Sequence, residues 1–272
     1  MYTLEEFNKA GRDLEEILHL RSAPIALKLI DEGEVPEGCA RPSEQGTHYA
    51  LCQAFAAVRR NRRSFAMFKE DHWCLWPLIS FRNVELDEDD VNYLGSMQFI
   101  KDPKKSLEFY KAHFPMIDPD KARAGLAIAP LESCTFTPDV VVVYCIPAQL
   151  RQLLMAAKYH DALVPEACLQ TVNSCGAAVL PIINGETHYN TAIPDPGEFE
   201  RSLAWDDEMI FTVSGEKFET LMDAVRSITK MGFGFRQLAY DMNLEYPRAK
   251  FYNEMFEKWG LPTGSEWKVG DR

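Results

Sequence analysis

The pattern of apolar and polar positions predicts helices and strands that alternate along the chain. Apolar residues at helical spacing and capping signals predict helices over 4–18, 49–60, 86–122, 147–159, 175–183 and 216–229. Short apolar runs predict strands over 24–30, 64–68, 126–129, 140–145, 187–193 and 209–213. No low-complexity linker interrupts these segments, so the pattern favours one compact mixed α/β domain over 1–272. We expect its core over about 20–230 and a helical, aromatic-rich arm over 231–272.

Two of the predicted helices begin with strong local signals. Thr3 and Glu6 have the spacing of a capping box, in which each side chain bonds the backbone of the other residue. Asp102 supplies an N-cap oxygen, and Pro103 suits the first helical position because a proline lacks the N–H that would go unbonded there. We expect both helices to begin at these residues.

A weak internal repeat divides the predicted domain into two halves. In the first half a strand precedes Cys52, a short helix and Asn61, and in the second a strand precedes Cys175, a short helix and Asn184. In both halves the asparagine lies nine positions after the cysteine. If a pseudo-twofold axis relates the halves, the two helix starts face each other and Cys52 lies close to Cys175.

Composition and charge exclude several classes of protein. Hydrophobic residues make up 46% of the chain, which excludes wholesale disorder. The net charge of −12 does not favour the basic face that nucleic acids bind, and we expect the basic run 59–63 to be a solvated helix end. No apolar run approaches the roughly 20 residues that cross a bilayer, and the acidic N-terminus is not a secretory signal. We therefore expect a soluble, cytoplasmic protein that binds neither nucleic acid nor membrane.

Cysteine is the residue type that stands out. The seven cysteines are Cys39, Cys52, Cys74, Cys134, Cys145, Cys168 and Cys175. Their odd number, the absence of a CxxC pair and the absence of a secretory signal indicate reduced thiols rather than disulfides. Cys145 ends an apolar strand, and we expect Cys134, Cys145 and Cys168 to be core residues.

Three other cysteines have positions that suit chemistry. Cys52 and Cys175 are predicted in the first turn of a helix, where the helix dipole lowers the pKa of a thiol and favours thiolate. Cys74 lies in a loop between Trp73 and Trp76. Thiolates from three separate elements suit a soft metal or an iron–sulfur cluster. Spacing alone leaves open the alternative that all three are small buried hydrophobic residues.

Motifs along residues 20 to 230 occur in the order of one known family. They are RSAPIALKL (21–29), LCQAF (51–55), KEDHWC (69–74), the stretch 95–116, IAP (128–130), PDVVVVY (138–144), SCGAAVLP (174–181) and DDEMIF (206–211). In these motifs the chain resembles the DUF169 family of uncharacterised prokaryotic proteins. The resemblance implies that Cys52, Cys74 and Cys175 occupy the family's characteristic cysteine positions, but it implies no reaction. Leu75 and Trp76 depart from the small residues expected after Cys74.

The leading functional hypothesis is a cysteine-ligated metalloprotein. Cys52, Cys74 and Cys175 would hold an iron–sulfur cluster of the 4Fe–4S type, with Cys39 or His72 as the fourth ligand, and zinc is the second choice of metal. A cluster with one open position binds and activates a substrate, as in an oxidoreductase or a lyase, whereas four protein ligands suit electron transfer. The expected partner is a small-molecule substrate or a redox protein.

Two other hypotheses use the same elements differently. The first is a cofactor-free protein that binds a small anion between the two helix N-termini. The second is an enzyme with Cys175 as nucleophile and His188, on the next strand, as general base. Under any of the three hypotheses, the many aromatic residues after Met231 predict a homodimer. One added helix can bury few aromatic side chains against its own chain, so a second copy would cover the others.

Overall fold

The short apolar runs form one six-stranded antiparallel sheet in the described part of the chain. Its strands are β1 (Ile25–Ile30), β2 (Phe65–Phe68), β3 (Gly125–Pro130), β4 (Val140–Cys145), β5 (Tyr189–Ala192) and β6 (Met209–Ser214). They lie in the order β2-β3-β1-β4-β6-β5. The structure, a computed structural model, describes residues 2–165, 167, 169–234 and 248–266. All six strands were expected from the sequence, and their bounds differ from the expected ones by no more than two residues.

The helices lie on both faces of this sheet or extend from its edges. They are α1 (Leu4–Leu18), α2 (Leu51–Asn61), α3 (Leu75–Ser80), α4 (Glu88–Gly95), α5 (Pro103–His113), α6 (Pro147–Asp161), α7 (Ser174–Ile183), α8 (Pro196–Ser202), α9 (Gly215–Ile228) and α10 (Lys250–Lys258). The Thr3 and Glu6 capping box begins α1, and the Asp102 carboxylate caps α5 as expected.

The helical stretch expected over 86–122, with a helix start at Asp102 and Pro103, is confirmed for that start but is wrong over its last nine residues. The chain forms two shorter helices there, α4 and α5, and is not helical between His113 and the start of β3. Phe114 is extended and precedes Pro115, whose ring disfavours helical backbone in the residue before it. The short helices α3 and α8 were not expected from the sequence at all.

The two halves expected from the internal repeat are confirmed by the order of the strands. That order reads the same from either edge when β1, β2 and β3 are exchanged for β4, β5 and β6. The halves meet where β1 pairs antiparallel with β4, with Ala26 opposite Val141. In the first half α2 packs on β1 and β3, and in the second α7 packs on β4, β5 and β6.

Alternating side chains of the strands feed two apolar cores, one on each face of the sheet. Val141, Val143 and Cys145 of β4 join the core formed with α1, α6 and α9. Val142 and Tyr144 of the same strand join the core formed with α2 and α7. Both faces are covered, so every residue of β4 is buried.

A buried ion pair between Arg59 of α2 and Glu208 joins the two halves. Arg59 is 1% exposed and donates two hydrogen bonds to Glu208, at 2.6 and 2.9 Å, and one to Ser22. Its guanidinium also lies 4.0 Å from the ring centroid of Tyr144 on β4. The expectation that the run 59–63 is wholly solvated is therefore wrong at Arg59, where a second charge from the other half replaces water.

Several expected features lie at the edge of the description or outside it. Cys168 and the arm aromatics Phe235, Tyr240 and Tyr246 fall outside the described residues. Of the arm, α10 and its flanking residues over 248–266 are described. None of the described helices has the length and apolar character needed to cross a membrane.

The buried pair generates a stability prediction. Arg59→Ala should lower the free energy of unfolding by about 3–5 kcal/mol, because it removes the hydrogen-bonded partner of the buried Glu208 carboxylate and leaves only Arg60, 3.9 Å away. Denaturant unfolding followed by circular dichroism measures the change. Lys9→Ala, which breaks an exposed helical pair with Asp13, is the control and should cost less than about 0.5 kcal/mol. Equal losses for the two variants would contradict the role assigned to the buried pair.

Candidate cysteine site

All three candidate cysteines lie at helix N-termini. Cys52 is the second residue of α2, Cys175 is the second residue of α7, and Cys74 is the N-cap of α3. Cys52 and Cys175 are 4% and 6% exposed, and Cys74 is partly buried. Each sulfur is therefore near backbone N–H groups that have no partner within their own helix and that favour negative charge.

The fold brings these three thiols into one neighbourhood. Burial raises the pKa of Cys175 well above its ordinary value, and Cys52, Asp195, Glu198 and Cys74 raise it further through their charges. Cys52 and Cys175 hold equivalent positions in the two halves, so the proximity expected from the repeat follows from the β1–β4 junction. Cys74 joins them from the first half.

The three cysteines are neutral thiols at pH 7. Burial raises the pKa of Cys52 to about 11, and Glu198 adds to this effect, while Ser202 and Arg201 oppose it. Burial also raises the pKa of Cys74, against the Trp76 backbone amide and Arg201. The desolvation of the sulfurs thus outweighs the helix termini, and thiolates need a further positive charge to form.

Helix α8, which the sequence analysis missed, forms one wall of the site. Asp195 is its N-cap and accepts a hydrogen bond from the Glu198 backbone N–H at 2.9 Å. The second oxygen of Asp195 accepts from the Ser174 backbone N–H at 3.0 Å. One carboxylate therefore joins the N-termini of α7 and α8 and fixes their relative position.

Glu198 is a fully buried carboxyl group inside this wall. Its two oxygens accept hydrogen bonds from the Ser174 hydroxyl and the Tyr144 hydroxyl, each at 2.8 Å. Burial raises the pKa of Glu198 to about 7, although these two hydrogen bonds and Arg59 act to lower it and Asp195 adds to the rise. Glu198 consequently exchanges a proton near neutral pH within the cysteine neighbourhood, a property that sequence reasoning could not anticipate.

Arg201, one turn further along α8, is a cation that acts to lower the pKa of both Cys52 and Cys74. Burial lowers its pKa, but Cys52 and Cys74 outweigh burial and raise the pKa above its ordinary value. The guanidinium carbon lies 5.6 Å from the ring centroid of Trp73, which is 63% exposed. Its Nε is buried and has no hydrogen-bond partner among the described atoms. Arg201 thus connects the buried thiols to an aromatic surface.

The first turn of α7 is held by an unusual backbone conformation. Asn173 precedes the helix with φ +60°, in the left-handed region. Its side chain donates to the Ser80 hydroxyl at 2.6 Å and accepts from the Cys175 thiol at 3.4 Å. Gly176 makes this possible, because a Cβ there would collide with the Asn173 amide. The orientation of Cys175 therefore depends on two nearby residues of the chain, Asn173 and Gly176.

The two candidates for a fourth ligand differ in their surroundings. Cys39 packs against the core on the opposite face, where burial, together with its neighbour Cys134, raises its pKa to about 11, and none of the three thiols contributes. His72 is largely buried, and burial lowers its pKa to about 4, so the imidazole is neutral at pH 7. Its Nδ1 has no hydrogen-bond partner among the described atoms. Cys39 is thus removed from the site, while His72 keeps the protonation state that a ligand requires.

The structure separates Cys175 from His188. His188 contacts Ser214 and Glu216, each at 3.1 Å, and lines a cavity of about 630 Å³ with Ile183. Cys175 lies at the opposite end of α7, and eight residues of helix span about 12 Å. The nucleophile and base pair expected from the sequence therefore does not form, and the cavity beside His188 contains none of the three thiols.

Cys134 and Cys145 are buried, at 3% and 2% exposure, as expected for core residues. Within the described part of the chain, no group of three or more His, Cys, Asp or Glu side chains is arranged to hold a metal ion. Sequence reasoning also missed the acids and the arginine of α8. The signal was present, since Asp195 and Pro196 repeat the N-cap and proline pattern that correctly predicted the start of α5.

The raised pKa of Glu198 predicts a specific pH dependence of stability. Between about pH 4.5 and 7 the folded chain keeps a proton that the unfolded chain releases, so the free energy of unfolding should fall as pH rises through this window. Glu198→Gln removes the titration and should flatten this part of the curve, measured by urea unfolding of chelator-treated protein. The exposed Glu200→Gln is the matched control on the same helix. Parallel curves for wild type and Glu198→Gln would rule out a proton on Glu198.

Comparison with known proteins places these residues in a family. The family model described as DUF169, uncharacterised ArCR, matches residues 13–224, which include Cys52, Cys74, Cys175 and all of α8. Nothing among the curated proteins matches the chain. Nothing among the solved structures matches it either. The match spans well over half of the 272 residues, and the chain belongs to the DUF169 family.

Proposed function

We propose that this protein is a cysteine-ligated iron–sulfur protein in which Cys52, Cys74 and Cys175 hold the cluster. The observation that carries the proposal is the placement of two buried thiols and one partly buried thiol at the N-termini of three helices, where Cys52 and Cys74 both act on the pKa of Cys175. The ligands of a cluster bind different iron atoms, so they do not have to converge on one point as the ligands of a single ion do.

The chemistry of the donor set fits such a group. Thiolate is the soft ligand that iron–sulfur clusters take, and these thiols are neutral until a cation offsets the cost of their burial. Loading therefore releases protons from Cys52, Cys74 and Cys175. Helix N-termini and Arg201 then lie beside the added negative charge of the sulfurs, where they stabilise it. His72 is the remaining candidate for a fourth ligand.

When bound, the cluster would supply electron transfer or, with one position not taken by a protein ligand, activation of a small substrate. Arg201 holds an anionic group of such a substrate by charge-assisted hydrogen bonds. Glu198 carries a proton near neutral pH and exchanges it through Tyr144 or Ser174. These roles suit an oxidoreductase or a lyase that acts on a small anion.

Cysteine substitution with metal analysis tests the proposal. Protein purified without oxygen should be brown, and Cys52→Ala, Cys74→Ala and Cys175→Ala should each reduce iron and sulfide to the background of the preparation. Elemental analysis and absorption spectra provide the measurement, with circular dichroism to establish folding. Cys145→Ala is the control, because Cys145 is equally buried but lies on the opposite face of the sheet.

Iron content that is unchanged in all three variants would sink the cluster proposal. Zinc in place of iron, lost in the same three variants, would keep the ligands and change the metal. A colourless, metal-free wild type would leave only the second function below.

The same site has one feature that favours a cofactor-free, anion-binding function. Arg201 lies beside Cys52 at the N-terminus of α2 and Cys74 at the N-terminus of α3, and a guanidinium and a helix N-terminus both attract anions without any metal. Calorimetric titration of metal-free protein with phosphate or a dicarboxylate measures such binding. Arg201→Gln should weaken it at least about tenfold, since a lost hydrogen bond to a charged group is worth about 1.5–3 kcal/mol. The exposed Arg12→Gln on the far face should not.

The setting of the site suggests its compartment and assembly. Seven cysteines that must stay reduced suit the cytoplasm, where thiols are kept reduced, and a redox protein is then a natural partner. We also propose that the chain forms a homodimer, supported by the exposed aromatic side chains of its C-terminal arm.

A further inference from the structure

An apolar trough runs along the outer face of α6. Two adjoining cavities of about 470 and 420 Å³ share Met155, Lys158, Leu163 and Val164. The end of the trough nearest α9 is lined by Ile228, Met231 and Phe233. Val164 is 89% exposed, and Tyr159 and Phe233 are each at least 40% exposed. We call this surface the α6 trough; exposed apolar side chains gathered in one place make it a candidate interaction site.

Helix α10 presents an apolar stripe with no cover of its own. Phe251, Met255 and Trp259 recur every four residues and therefore lie along one side of the helix, with Tyr252 beside them. Phe251, Tyr252 and Trp259 are 61%, 51% and 59% exposed. Among the described residues, the hydrogen bonds of α10 and of the turn that follows it lie within 248–266.

Chain connectivity links the two surfaces. Phe233 lines one end of the α6 trough and is followed by Gly234. The next described residue is Arg248, just before α10. The 13 intervening residues span at most about 45 Å, which is enough to reach a neighbouring molecule. In the described part of the chain, however, Phe251 and Trp259 of the stripe and Tyr159 and Val164 of the trough are all exposed. The complementary surface is therefore available on a second copy.

The area of the two surfaces supports a reciprocal exchange. Three half-exposed aromatic side chains present roughly 100 Å² each, and an equal loss on the trough, doubled by symmetry, gives about 1,200 Å². This total is at the lower limit of a stable, specific interface, whereas a single docked helix would bury only half as much.

We propose that α10 of each chain docks in the α6 trough of a second copy, so that the homodimer is held by two exchanged helices. The inference rests on the homodimer proposed above and is independent of any cluster. The docking follows the helix-in-groove mode, in which apolar residues one turn apart anchor an amphipathic helix in an apolar groove.

Light scattering of the full chain after size exclusion tests the exchange. Wild type should have twice the mass of 31.0 kDa. Val164→Glu in the trough and Trp259→Ser on the stripe should each raise the dimer dissociation constant more than about tenfold, since aromatic anchors and the surface they contact dominate such interfaces. Tyr93→Ser, at a side chain 65% exposed on α4, is the control and should leave the dimer intact.

A mixing experiment separates exchange from other dimers. Val164→Glu keeps a native α10 and Trp259→Ser keeps a native trough, so a mixture of the two variants should form heterodimers with one intact contact. The mixture should therefore dimerise more strongly than either variant alone. A wild-type monomer would overturn both the homodimer and the exchange. A dimer that survives both substitutions, or a mixture no stronger than its components, would overturn the exchange alone, and iron content should be unchanged throughout.

Discussion

The antiparallel pairing of β1 with β4 is the constraint on which the candidate site depends. It is the strand pairing at which the two halves of the sheet meet. Cys52 and Cys74 come from the first half, whereas Cys175 and the acids of α8 come from the second. The buried pair of Arg59 and Glu208 crosses the same junction. The cysteine site is therefore an interface between two similar units, as many ligand sites are.

Burial rather than helix dipoles controls the electrostatics of this interface. Five groups with acidic protons share the neighbourhood, namely the three thiols, Asp195 and Glu198, with Arg201 as their nearby cation. The fold limits the accumulated negative charge by keeping the thiols protonated and raising the pKa of Glu198. Any cation that bound to the sulfurs in this condition would have to displace their protons, so its affinity would rise with pH.

Local patterns in the sequence predicted the strands, the helix starts at Cys52 and Cys175 and the relation of the halves. These features depend on periodicity and capping within a few residues, which a sequence displays directly. The burial of Arg59 and Glu198 could not be predicted in this way, because each is enclosed by elements more than 50 residues distant. The helix α8 is a different case, since its Asp-Pro start was visible and its seven residues lacked apolar periodicity. The sequence showed much of the local backbone conformation, but it did not show which distant elements would bury a given side chain.

The central position of β1 also has a consequence for how the chain is synthesised. Ala26 of β1 pairs with Ala129 on one side and with Val141 on the other, so both partners lie more than 100 residues further along. β1 is therefore synthesised early and has no pairing strand until nearly half of the chain has followed. Its side chains are largely apolar on both faces during that time. Such late, non-local pairing slows folding and exposes an aggregation-prone segment in the meantime. In a nascent chain, β1 therefore lacks both of its pairing strands until β3 and β4 have been synthesised.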